Sequence, residues 1–362
     1  MSEPIDILIV SIKIVMAMMW FLILALYLTW LERKQSAVMQ DRIGANRANI
    51  FGFRIIGIFQ PFADAIKMFF KEDFTPNFSN KFLHNLAPFI SFYFVLVTIA
   101  TIPFAGNLKI GEKVIKLQVL DLNIGILFVL AMLSLSVYGV ILSGWASNNR
   151  WTLLGGLRGA AQLVSYEVAL GLSLVGLVMI YPSLKFSVIV ESQGALLFGF
   201  LPKWGIVLQP LGFIIFFMAA IAESERIPFD LPEAESEIVG YFTEYSGLKW
   251  GLYMFTDFMK VLIIGCLLTT LFFGGYQVPW LGADGFHFPW GGEWLMSNGL
   301  VVALQVLIFN LKVFFFCWLQ ILIRWTYPRF RYDQLMDFGW KLLVPLCLIN
   351  IAITGIIMSF IK

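Results

Sequence analysis

Eight apolar runs, near residues 7–31, 82–104, 122–146, 160–181, 206–223, 249–274, 300–323 and 340–360, are the feature that most limits what this chain can become. Each approaches or exceeds the roughly 20 residues a helix needs to cross a bilayer. With backbone groups unsatisfied by lipid, such runs must cross as helices. The expectation is therefore an all-α, polytopic membrane protein, a single transmembrane domain over 1–362 with eight transmembrane helices. Mean hydropathy of +0.83 and only 13% charged residues agree with it. The start, MSEPID, is acidic where a signal peptide would be basic, and the run behind it is too long for a signal core, so the first run reads as a retained span.

An even number of spans puts both termini on one side. The 25 basic residues divide unevenly about the runs: sixteen fall on the side of the first loop, six on the other, and Lys13, Lys260 and Lys312 lie inside spans. By the positive-inside rule, both termini are outside and the segments 32–81, 147–158, 224–248 and 324–339 are cytoplasmic. Between the first two spans, Gln60, Asp64, Lys67 and Lys71 draw one polar stripe at helical spacing, with Pro61 in the first turn. This predicts an amphipathic surface helix whose other face (Phe59, Phe62, Ile66, Phe69 and Phe70) lies against the membrane boundary or a partner. It is either a plain anchor or a doorway for a lipid-soluble ligand.

The stretch 223–249 interrupts two spans with acid. Seven of the 23 carboxylates are here: Glu223, Glu225, Asp230, Glu233, Glu235, Glu237 and Glu244. Arg226 is the one basic residue between Glu223 and Glu244, so pairing cannot neutralise them all, and such a cluster can hold and release protons. Asp230 is placed to cap a short helix that sets Glu233 and Glu237 one turn apart on a shared face. A solvated acidic loop is the bland alternative, but the acids are threaded with Ile227, Phe229, Leu231, Ile238, Val239 and Phe242. Within spans, Glu167 has no counter-charge within a helical turn, so it looks into the bundle. Asp257 and Lys260, three apart, either neutralise one another or join a relay.

Cys266, Cys317 and Cys347 are isolated in apolar runs, and His84 and His287 are far apart. There is no metal-ligand spacing, no CxxC and no Gly-rich nucleotide loop, so the metal expectation is none. Any electrons must arrive from another subunit. A net charge of +2 gives no reason to expect nucleic acid. After the seventh span, residues 323–341 interleave Arg324, Arg329 and Arg331 with aromatic and amide residues, a composition suited to a polar headgroup and to docking a protein.

Five segments in order, LERKQSAVMQDRIGANR (31–47), QPFADAIKMFFKE (60–72), RGAAQLVSYE (158–167), AESERIPFDLPEAESEIVGYFTEYSG (222–247) and RWTYPRFRYDQLMDFGWK (324–341), resemble the H subunit of the proton-pumping NADH:quinone oxidoreductase, the subunit 1 family of respiratory complex I. The resemblance implies a quinone chamber built jointly with peripheral-arm subunits, and an acid-rich funnel from it toward the membrane's proton path. Its chamber and interface residues fall on Glu32, Arg33, Arg42, Arg226, Arg324 and Arg329; its funnel falls on Glu167, Glu223, Glu233, Glu235, Glu237 and Glu244. It also implies quinone as substrate, NADH, FMN and iron–sulfur clusters in partner subunits, other membrane-arm subunits and lipid as neighbours, and a bacterial inner (plasma) membrane location. Two departures stand out: Ala45 where the family carries proline, and Asp257 with Lys260 where it more often has glutamate and asparagine. The rival readings are the anchor subunit of a membrane-bound hydrogenase-type proton pump, which would share the acidic loop, and a stand-alone proton-coupled transporter.

Overall fold

The computed structural model describes residues 3–50, 52–111, 113–197, 199–232, 240–282, 284–287 and 291–361. Glu233, Glu235 and Glu237, and the helix expected after Asp230, lie outside the described residues.

Helix α1 (Glu3–Met39) runs 37 residues, about 55 Å at 1.5 Å per residue, and so extends well past a hydrocarbon core of roughly 30 Å. Its last turns carry Glu32 and Arg33 away from the apolar run. The loop that follows folds back on the helix: Trp30 Nε1 donates to the Ile56 carbonyl and Lys34 Nζ to that of Ile43. Gly57, with a φ of +78°, permits a close pass, since a Cβ there would run into the Ala45 carbonyl. The loop is thus closed on the backbone of Ala45, the position where proline was expected.

Helix α2 (Gln60–Phe70) carries Pro61 in its first turn, where the missing N–H costs nothing. The first half of its polar stripe meets the protein, since Gln60 donates to Asp64 and Asp64 pairs with Arg33 of α1 at 2.7 Å, whereas Lys67 and Lys71 are exposed. Phe62, Ile66, Phe69 and Phe70 are left exposed on the opposite side.

The long helices are α3 (Lys81–Val97), α4 (Gly125–Ala146), α5 (Arg150–Ile180), α9 (Gly247–Phe272) and α10 (Asn298–Thr326). They are joined by the short helices α6 (Phe186–Gln193), α7 (Gly205–Leu208) and α8 (Pro210–Glu223). The chain continues into α11 (Tyr332–Asp337), a π-helical turn (Phe338–Leu343) and α12 (Val344–Ile361). Among the described residues, seven helical stretches are long and apolar enough to cross a membrane. The fifth expected span, 206–223, is instead broken at Gln209: α7 stops there and α8 starts at Pro210. The 14 residues of α8 reach about 21 Å, short of a hydrocarbon core of roughly 30 Å. The break is held from within, because the Gln209 amide accepts from Asn350 Nδ2 at 2.9 Å and donates to Thr354 Oγ1 at 2.7 Å, both on α12.

Two helices organise the packing. Helix α9 is enclosed by α1, α2, α3, α8 and α10, and 94% of its most apolar window is buried, against 11% for α1. Helix α5 is flanked by α4, α8 and α12. Helix α8 packs on both and carries Glu223 to its end. Among the described residues, the connectors hold three two-stranded antiparallel hairpins, β1–β2 (Asn107–Ile110, Lys113–Lys116), β3–β4 (Leu196–Leu197, Leu201–Pro202) and β5–β6 (Gly285–His287, Glu293–Leu295). These are small additions to an otherwise helical fold.

Candidate functional site

A cavity of about 560 Å³ opens between α1, α2, α3, α9 and α10. Phe92, Trp250, Met254, Phe255 and Phe258 supply an apolar wall, and Thr29, Glu32, Arg33, Ser36 and Asp64 gather polar groups at one side. Ala65, Met68 and Phe69 of α2 form part of the lining. Phe69 is also exposed, so the surface helix borders both the cavity and the exterior.

Glu32 is the hub of the polar side. Its two carboxylate oxygens take Arg226 and Arg324, each at 2.7 Å. Arg226 is buried and lies over the Phe258 ring, 4.1 Å from its centroid. Double, charge-assisted pairing of this kind offsets the desolvation of a buried carboxylate. A few residues beyond Arg324, Arg329 meets buried Asp230 at 2.7 Å. Asp230 is thus an ion-pair partner of Arg329, while the helix it was expected to cap lies outside the described residues. Phe330 N–H donates to the Pro228 carbonyl, and Phe330 stacks with Phe229 and Phe338, so segment 324–331 is fastened to segment 226–231.

The second polar group lies beyond Arg226. Lys260, in the middle of α9, donates to Glu225 at 2.9 Å, with both side chains almost wholly buried. Asp257 and Glu223 also act on its ammonium. Glu223, buried at the end of α8, is acted on by Lys260, Glu167 and Glu225. Glu167, half-buried on α5, accepts a hydrogen bond from the Ser134 hydroxyl of α4. Gln162, earlier on α5, fixes the acid-bearing turn by donating to the carbonyls of Ala222 (2.9 Å) and Phe229 (2.6 Å).

This arrangement, an apolar cavity ending in a buried carboxylate with two arginines and followed by a line of buried acids, can be set beside known proteins. A family model described as NADH dehydrogenase matches residues 12–355. The chain belongs to the NADH dehydrogenase family. It is 43% identical over 357 residues to the NADH-quinone oxidoreductase H subunit 1 of Cytophaga hutchinsonii, covering 98% of both chains. It is 42% identical over 349 residues to the NADH-quinone oxidoreductase H subunit of Flavobacterium johnsoniae, covering 95% of this chain and 93% of the relative. With the H subunit 1 of Geobacter metallireducens the identity is 45% over 351 residues, covering 97% and 96%. As a family member the chain is a membrane subunit of an enzyme complex, which sets aside the stand-alone transporter.

Of the positions that the family resemblance marked, Glu32, Arg226 and Arg324 form one ion-paired group, and Arg33 borders the same cavity through Asp64. Arg329 joins segment 226–231 by way of Asp230. Arg42 is exposed and bonded to Gln40 at 2.7 Å. Glu167 and Glu223 act on one another. Glu244 is placed elsewhere: its carboxylate accepts from Asn149, and its carbonyl meets His84.

Sequence reasoning gave no role to Gln162, placed Asp64 only on the polar stripe of α2, and counted Glu225 and Asp230 only as members of the acid cluster, Asp230 also as a helix cap. The excess of acid over base in 223–244 was a signal for Glu225 and Asp230. No spacing rule could bring Lys260 onto Glu225, 35 residues away in the chain.

Proposed function

We propose that this chain is the subunit of a bacterial NADH-quinone oxidoreductase that forms the membrane side of its quinone chamber and couples quinone reduction to proton translocation. The observation that carries the reading is the cavity itself: aromatic and aliphatic along one wall, with Glu32, Arg226 and Arg324 joined at its polar side. A quinone needs an apolar path for its tail and fixed polar groups for its ring, and this cavity supplies both. Helix α2 is the doorway, since its apolar face is exposed while Ala65 and Met68 line the interior.

Reduction of a quinone takes up two electrons and two protons. The electrons come from an iron–sulfur partner subunit fed by NADH and FMN, and this chain's residues handle field and protons. Charge appearing in the chamber acts on Arg226 and Arg324. Arg226 is next in sequence to Glu225, whose partner Lys260 acts on Glu223, which in turn faces Glu167. Closely spaced carboxylates share protons as a group, so a field change worth a few kcal/mol shifts their common occupancy. Glu233, Glu235, Glu237 and Glu244 extend the same acid-rich loop.

The topology follows the basic-residue asymmetry: the segments 32–81, 147–158, 224–248 and 324–339 face the cytoplasm, and both termini face outward. Helices α7 and α8 together make the fifth of eight crossings, and α2 lies in the membrane surface. The peripheral-arm subunits dock on the exposed loop after α1 and on segment 324–331, where Arg42 and Arg329 are available; other membrane-arm subunits and lipid cover the remaining apolar faces.

A photoreactive quinone applied to the assembled complex in native membranes tests the chamber. Cross-links are expected on α2 or α9, at residues such as Met68 or Trp250, and inhibitors of quinone reduction should suppress them. Label confined to other subunits would sink the reading. In the same membranes, Glu167→Gln should lower quinone-coupled pumping while NADH oxidation by artificial acceptors continues.

A further inference from the structure

Lys260 is a lysine buried in the middle of a helix that is itself enclosed by its neighbours, and its hydrogen-bonded partner, Glu225, approaches from the turn after α8. Glu225 has a φ of +54°. A left-handed backbone at a non-glycine residue is strained, so something must hold it there. The turn is held by Gln162, by the Glu225 N–H donating to the Ala222 carbonyl and by the 2.9 Å ion pair to Lys260. Arg226, the next residue, is committed to Glu32. Glu223 Oε2 and Glu225 Oε1 are buried without a hydrogen-bond partner among the described residues. The groups facing one another are therefore Glu167 from α5, Glu223 and Glu225 from the end of α8 and its following turn, and Asp257 and Lys260 from α9.

We propose that Lys260 sets the number of protons this acid cluster holds. It is the counter-charge hydrogen-bonded to Glu225, and the charge it supplies sets how many protons the cluster as a whole must carry. Buried carboxylates that exceed their cations take up protons rather than remain charged. Removing the ammonium obliges the cluster to hold one proton more; removing the Glu225 charge lets it hold one fewer. Removing both together restores the original count. The effect on turnover rests on the proton-coupling reading above, whereas the effect on proton count does not.

The experiment uses the whole complex in its membrane, as Lys260→Met, Glu225→Gln and the double variant. Infrared spectra recorded across a pH titration read protonated carboxyl groups directly, and the pH profile of quinone-coupled turnover is followed alongside. Lys260→Met is expected to gain carboxyl signal at neutral pH and to move the turnover profile toward alkaline pH by roughly one unit or more. Glu225→Gln should move both the opposite way, so either single variant suffices if the other fails to assemble. The double variant should return both readouts to the wild-type position. Carboxyl signals and profiles unchanged in whichever single variant assembles would overturn the proposal and leave Lys260 as a structural ion pair. Displaced infrared signals with an undisplaced turnover profile would instead uphold the proton count and overturn the coupling reading.

Discussion

Lys260 and Lys312 are both lysines in the middle of apolar helices, and the chain treats them differently. Lys260, on α9, meets carboxylates: Glu225 is hydrogen-bonded to it, and Asp257 and Glu223 act on it. Lys312, on α10, has backbone carbonyls as its hydrogen-bond partners. It donates to those of Phe273, Gly275 and Gln277 at 2.7, 3.0 and 2.8 Å, just past the C-terminus of α9, and sits 4.6 Å from the Trp204 ring centroid. Those carbonyls belong to the region where a helix exposes unsatisfied acceptors and its negative end, so an ammonium there is a cap. A lysine inside a span is thus a structural cap where it meets carbonyls. Where it meets carboxylates, as Lys260 does, it is, on the proposal above, a counter-charge that tunes protons.

The charged side of that comparison is the more fragile, and Arg226→Gln gives the largest expected effect. It withdraws one of two cations from buried Glu32 and removes the guanidinium packed on Phe258. Breaking one partner out of a buried ion-paired group costs about 3–5 kcal/mol. The expected outcome is a strong loss of assembled complex, measured by native gel, with quinone reduction abolished in what remains. Normal assembly with unimpaired quinone reduction would make the charged region no more demanding than an ordinary capped helix end.

The capped side is tested by Lys312→Met. Three carbonyls lose their donor, at about 1–3 kcal/mol for each acceptor left buried and unsatisfied, less whatever local rearrangement recovers. The thermal midpoint of the complex should fall, and the pH profile of turnover should keep its wild-type position. A displaced profile would place Lys312 in the proton path and erase the distinction from Lys260.

The same contrast explains what could be read from the chain. Apolar runs are local patterns, and the long helices follow from them; the contact of Gln60 with Asp64, one turn apart on α2, is local in the same way. The break at Gln209 was not legible from run length, because the run is long enough to cross; what holds it is the Gln209 side chain, bonded to Asn350 and Thr354 on a distant helix. For the site, the acid count of 223–244 pointed to the segment that holds Glu225 and Asp230, and the family motifs marked Glu32, Arg226 and Arg324. The pairings were hidden. Asp257 and Lys260 suggested a local pair, whereas the hydrogen-bonded partner of Lys260 is Glu225, a choice made by the packing of α8 and its following turn against α9. Asp333 lies four residues from Arg329, a spacing that would allow a pair on a helix, yet it binds Arg331 through two hydrogen bonds, and Arg329 meets Asp230.

That last pairing sets the smallest expected effect, in Arg329→Lys. Arg329 uses one terminal nitrogen on Asp230, and its side chain remains 30% exposed beside the exposed rings of Tyr327 and Phe330. Lysine keeps a positive charge near Asp230 but loses the planar fork whose other edge can hold a second acceptor, such as a quinone carbonyl or a partner's carboxylate. Loss of one such contact is worth about 1 kcal/mol, roughly a fivefold change in an equilibrium. The expected result is an assembled complex whose KM for quinone rises several-fold and whose sensitivity to quinone-site inhibitors falls, with kcat nearly unchanged. Arg329→Ala should do worse, because it also takes the guanidinium from buried Asp230 and so removes one of the contacts that fasten segment 324–331 to segment 226–231. If Arg329→Lys kept wild-type KM and inhibitor sensitivity, the second edge of the guanidinium would contact nothing in the chamber. Arg329 would then belong with Lys312, a cation holding backbone in place.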